Sequence, residues 1–195
     1  MKTYTVNKIV HESLPVLFIV LIFSLSTGHI MDTRLAMVFP YFPFILLIIP
    51  AFINIAGDLS AVAGAHITSH LYTGELDERF RPYSLLLANL AAIFLVAITV
   101  YAFLGVCVIG LNYVIFPAFF GSPTTSSPIY IGPIFLAILL SGVMATICTS
   151  FIGLVGARIV YHSGRDPDSI TPPFTTTIGD FLGTLFVTIA LLSII

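Results

Sequence analysis

An all-α integral membrane protein with five transmembrane helices is the fold class this sequence predicts, and three observations carry the prediction. Of the 195 residues, 58% are hydrophobic and only 8% are charged, against about 25% charged in an ordinary soluble domain. Apolar runs long enough to cross a bilayer, about 20 residues each, recur along the whole length. The lysines and arginines fall in alternate linkers, the pattern of a chain that threads back and forth. The same composition excludes other classes. There is no basic patch for nucleic acid, the net charge of -2 is too small to guide anything, and the two cysteines, Cys107 and Cys148, lie inside apolar runs where a thiol acts as a small hydrophobe.

The first segment covers residues 13 to 31. Lys2 and Lys8 ahead of it, and Ser24 and Ser26 near its end, imitate a secretory signal, but in a chain with later spans the segment is read as an anchoring helix. The second, 36 to 70, is too long: a helix of about 35 residues would be about 52 Å, beyond the ~30 Å hydrocarbon core. Pro40, Pro43 and Pro50 lie in it, so a bend or break is predicted there. The third runs from 83 to 112, the fourth, again long, from 129 to 161, and the fifth from 173 to 195. The long second and fourth segments must tilt, bend or project. The linkers TGELDERFRP, NYVIFPAFFGSPTTSSP and HSGRDPDSITPP carry the glycine, proline and short polar residues of turns. One membrane domain, 1 to 195, accounts for the chain, with no cytosolic regulatory domain expected.

Positive residues favour cytoplasmic loops. With the N-terminus cytoplasmic, Lys2, Lys8, Arg79, Arg81, Arg158 and Arg165 are all inside and Arg34 alone is outside. The C-terminus is then extracellular.

Asp180 is the residue the composition explains least. An aspartate at the centre of a membrane helix costs about 2.5–3.5 kcal/mol on insertion scales, so it is expected to face protein or a water-filled path. If the last helix begins near Pro173, Asp180 lies about 10 Å along it. Thr176 one turn before, with Gly183 and Thr184 one turn after, make a polar and small-residue stripe with it. A second acid, Asp58, sits one turn from Asn54 in AFINIAGDLSAVAGAHITSH. Small residues repeat there every fourth position, Gly57, Ala61 and Ala65 on one row and Ser60, Gly64 and Thr68 on the next, a pattern that lets helices approach closely. Packing explains those rows but not Asn54 and Asp58, which are expected to line the same path as Asp180.

Other polar residues have plainer readings. His66 and His70 have a metal-compatible spacing, but two histidines make an incomplete site. His11-Glu12 starts an H-E-x-x-H pattern that Pro15 breaks, leaving a zinc protease unsupported. Gly142, Thr146, Thr149, Ser150 and Gly153 form a row suited to packing or to flanking a pore. Glu75, Asp77 and Glu78 are followed by Arg79 and Arg81, a mixed-charge loop expected to be solvated rather than ion-gathering.

At GDFLGTL, preceded by DPDSITPPFTTT, the chain resembles the membrane domain of the MgtE magnesium-transporter superfamily and its eukaryotic solute-carrier relatives. The second segment's proline followed by AGDLS and a small-residue helix is similar to that family's P…GN element, so the resemblance spans essentially the whole chain. It implies that the last helix supplies a pore acid holding hydrated Mg²⁺, which matches Asp180, with Thr176 and Gly183 at the flanking turns. The family's Gly-Asn matches Gly57 and Asp58, so a carboxylate stands where the family has an amide. The family's CBS domains are not expected here, and its pore forms between two five-helix units, implying a homodimer or a dimer with a related chain.

The expected function is therefore transport of a divalent cation, first of all Mg²⁺, across a membrane, through a pore at a subunit interface. Two alternatives remain: a proton- or sodium-coupled divalent cation exchanger, and a non-transporting membrane scaffold. An enzyme is not expected, since no nucleophile with an adjacent base, phosphate-cradling loop or complete metal triad is present.

Overall fold

The computed structural model describes residues 6–42, 44–77, 79–111, 131–163 and 167–195. Lys2, Pro43, Glu78, Arg165, Asp166 and the linker NYVIFPAFFGSPTTSSP lie outside the described residues, as do the side chains of Lys8, Glu12 and Asp168. The described residues form five long helices: α1 (Val6–Thr33), α2 (Ile45–Thr73), α3 (Tyr83–Gly110), α4 (Ile131–Ser163) and α5 (Pro167–Leu192). Each is long and apolar enough to cross a membrane, so the chain is a multi-pass membrane protein.

The overlong second segment breaks. Residues Leu35–Met37 form a single 3-10 turn, and α2 begins only at Ile45. Pro40 lies in the irregular stretch before it, while Pro50 is accommodated within the helix. The fourth segment does not break: α4 is one uninterrupted helix of 33 residues, whose length of about 50 Å must be taken up by tilt or projection. α2 ends at Gly74, whose φ of 76° closes the helix in the left-handed region that glycine alone enters without steric cost. The following loop is tied by Asp77, whose Oδ1 accepts hydrogen bonds from the backbone N–H groups of Arg79 (2.8 Å) and Arg81 (2.7 Å). His70 Nδ1 lies 2.5 Å from Glu75 Oε2. Asp77 and Glu75 thus hold the turn together, as a solvated structural loop should.

α5 starts earlier than its prolines suggest. It runs from Pro167 through Pro172 and Pro173, which fall in its second turn, and threonine hydroxyls back-bond along the same stretch: Thr175 donates to the Thr171 carbonyl (2.8 Å) and Thr177 to that of Pro173 (2.8 Å). Asp180 therefore lies about 20 Å along the helix rather than about 10 Å, near its middle.

Packing follows polarity. The span with the lowest mean hydropathy, Ile170–Leu192 at 1.6, has half of its most apolar stretch buried against protein, whereas only 6% of the corresponding stretch of the first span is buried. A helix bearing threonines and an acid needs protein neighbours, and α5 has them in α1, α2 and α4. α3 packs on α4 and α2. Two apolar clusters close the ends of the bundle. One is built on Phe44, Ile48, Phe52, Tyr101, Ile138 and Leu191, the other on Ile67, Leu71, Leu76, Leu154 and Ala157. Between them is a waist of small and hydroxyl side chains, among them Ser60, Gly64, Thr149, Gly153, Thr175 and Gly183. Asp180 sits at this waist.

Candidate functional site

The site forms where α2 and α5 cross antiparallel, Gly64 opposite Thr171, Gly57 opposite Thr176 and Asp180, and Ala56 opposite Gly183. The closest approach is backbone to backbone. A Cβ on Gly179 would lie 2.7 Å from the Cα of Gly57, and one on Gly57 would lie 2.8 Å from Asp180 Oδ1 and 2.9 Å from Thr176 Cγ2. Only two glycines permit such a crossing, and it holds the Asp180 carboxylate against the α2 backbone. Ser60 fastens it: its hydroxyl lies 2.7 Å from the Gly57 carbonyl and 2.9 Å from the Thr175 carbonyl, so its one hydrogen is shared across the two helices.

Asp180 is half-buried, and its Oδ1 is shielded from solvent with no hydrogen-bond partner. Asp58 is exposed on α2, near enough to act on Asp180 electrostatically. Asn54, one turn before Asp58, is exposed on the same side of α2. Among the described residues neither acid forms an ion pair. Thr176 is half-buried, with its methyl and carbonyl against Gly57. Gly183 is a packing residue, fully buried against Ala56 and Phe52. Thr184 departs from the expected stripe and lies wholly inside the bundle.

The structure thus brings Asp180, Thr176 and Asp58 to one crossing, with Asn54 beside it. The sequence reading missed Gly179, Thr175 and the cross-helix role of Ser60. A signal existed: Thr175, Gly179 and Gly183 repeat every fourth residue, the mirror of the small-residue rows on α2. The rows of α2 divide in space, with Ser60 and Gly64 against α5, Thr68 buried and Ala65 exposed. The α4 row packs too. Gly142 lies under the Tyr101 ring and Gly153 against Ser60 and Gly64. His66 faces Asn89 across α2 and α3, at 3.4 Å, and among the described residues no group of three His, Cys, Asp or Glu could hold a metal.

A carboxylate pair without a counter-ion, in helices built to cross a membrane, suits a passing cation. Comparison with known proteins bears on this directly. Residues 49–190 match the family model described as "MgtE: Divalent cation transporter". Over 64 residues the chain is also 34% identical to "Solute carrier family 41 member 3" of Rattus norvegicus, a stretch covering 33% of this chain and 13% of the rat protein, so the likeness to that protein is local. The family match takes in all of the α2–α5 crossing and well over half of the chain, and the chain belongs to the MgtE divalent cation transporter family.

Proposed function

We propose that the chain carries Mg²⁺ across the cell membrane through a pore formed at the interface of two copies, with Asp180 as the acid that meets the ion. The observation that carries this reading is the outward placement of Asp58 and Asn54 beside the unpaired Asp180. Side chains of this kind facing lipid are unfavourable by about 2.5–3.5 kcal/mol per acid. Facing a second copy across a two-fold axis, they line a hydrated gap instead.

Mg²⁺ sheds water reluctantly and is usually held through its hydration shell by one or two carboxylates. Two copies of Asp180 supply that clamp, because paired carboxylates repel unless a cation lies between them. Thr176 packs against Gly57 one turn before Asp180, and Asp58 and Asn54 extend the lining along α2. The N-terminus is cytoplasmic and the C-terminus extracellular, as the positive residues indicate.

The test is uptake into proteoliposomes by wild type and Asp180→Ala, with competing divalent ions and with imposed proton or sodium gradients. Uptake that requires Asp180 and ignores the gradients supports a channel or uniporter. Uptake driven by a gradient replaces it with exchange, and uptake indifferent to Asp180 overturns the site.

A further inference from the structure

We propose a second binding site, for a neutral hydroxyl-bearing amphiphile, in the cleft between α3 and α4. The cleft encloses about 300 Å³, about twice the volume of an apolar cavity that takes a benzene-sized molecule. Leu87, Leu90 and Phe94 of α3 and Ile147 and Phe151 of α4 make its walls. Leu87 and Phe151 are largely exposed at its rim, so in a bilayer the cleft opens sideways to lipid.

Its distinguishing feature is Ser150. On the same helix Thr146 donates to the Gly142 carbonyl (3.0 Å) and Thr149 to the Ala145 carbonyl (2.9 Å), the usual way a membrane helix satisfies a hydroxyl. Thr149 also lies 3.1 Å from the Thr146 carbonyl, the group one turn before Ser150 that Ser150 would otherwise use. Ser150 is 4% exposed, lines the cleft, and its Oγ has no partner. A buried hydroxyl left unpaired is unfavourable, and a ligand bringing one hydrogen-bonding group removes that penalty.

The lining selects the ligand's chemistry. None of the residues around the cleft is charged, so an ion has nothing to meet. A buried water takes about two to four polar partners, more than Ser150 and an already donating Thr146 readily offer. An apolar body with a single hydroxyl fits both features: the body fills the cleft, and its hydroxyl meets Ser150. This inference is independent of the transport reading, since no residue of the α2–α5 crossing lines the cleft.

The test is photolabelling of the full chain in lipid nanodiscs with octanol carrying a diazirine, set beside a diazirine alkane lacking the hydroxyl. The alcohol should cross-link to peptides containing 87–94 and 146–151, and unlabelled octanol should compete with it. Ser150→Ala should weaken saturable labelling by the alcohol roughly three- to ten-fold, the loss of one hydrogen bond, and leave the alkane's labelling unchanged. Labelling spread evenly over the lipid-facing helices overturns the site, and equal alcohol labelling of both proteins overturns the role of Ser150. Should Ser150→Ala fail to fold, Ala91→Phe fills the cleft from its exposed rim. Alcohol labelling of the cleft that survives Ala91→Phe refutes the proposal.

Discussion

Adding one methyl group at Gly179 should force α2 and α5 apart, because what it meets is backbone. The new Cβ would lie 2.7 Å from the Cα of Gly57, 2.9 Å from its nitrogen and 3.0 Å from the carbonyl carbon of Ala56. Carbon atoms are comfortable at about 3.5–4.0 Å, so α2 and α5 must part by about 1 Å. No rotamer relieves this, because all three obstructing atoms are backbone. The same movement stretches the Ser60 to Thr175 contact, now 2.9 Å, past hydrogen-bonding range. Overpacking of this kind costs about 1–3 kcal/mol, or about 2–12 °C of melting temperature in a chain of this size. Gly183→Ala comes no closer than 3.3 Å, to the Ala56 Cβ, and Gly156→Ala meets nothing within 4 Å. The expected order of destabilisation is therefore Gly179, then Gly183, with Gly156 at wild type, measured as loss of the monodisperse peak after heating in detergent. If Gly179→Ala melts with Gly156→Ala, the close crossing is not what holds Asp180 in place.

Asp180→Asn should leave melting unchanged or raise it, because an unpaired, partly buried charge is removed, while lowering Mg²⁺ uptake by at least about ten-fold, as two carboxylates vanish from the two-copy clamp. Asp58→Asn, which restores an amide, should keep uptake but weaken competition by divalent over monovalent ions, read in the same proteoliposomes. Ser60→Ala deletes one bond between membrane helices and should cost about 0.6 kcal/mol, a melting shift of about 1–2 °C. Asn54→Cys, with Cys107 and Cys148 replaced by serine or alanine, should form a covalent dimer under oxidation if this face meets its copy; persistent monomer in nanodiscs at two chains per disc argues against the interface.

The fold was legible because bilayer physics leaves few options: apolar length gave the spans, and α3, read as 83 to 112, is found at Tyr83–Gly110. The errors came where proline was treated as a local rule. In the second segment Pro40 falls in a true break, but Pro172 and Pro173 sit inside α5, within the second turn of a helix that starts at Pro167. That choice misplaced Asp180 by about 10 Å of helix. The acids themselves stood out because a charge in an apolar run is costly. Gly179 and Ser60 did not, since a glycine's value depends on which backbone lies opposite, and that is a property of two segments more than 100 residues apart.

The waist also shows why one helix combines the lowest hydropathy with the greatest burial. A carboxylate near the middle of α5 could have been neutralised by an arginine, yet among the described residues neither Asp58 nor Asp180 has an ion pair. A permanent internal partner would stabilise the resting protein and compete with any ion passing through. Glycine crossings and backbone-bonded threonines stabilise the neighbourhood of the acid without neutralising it, so that the charge stays available. On the proposed two-copy arrangement, four such acids share one gap, and insertion costs of about 2.5–3.5 kcal/mol each become the attraction that draws a divalent ion in.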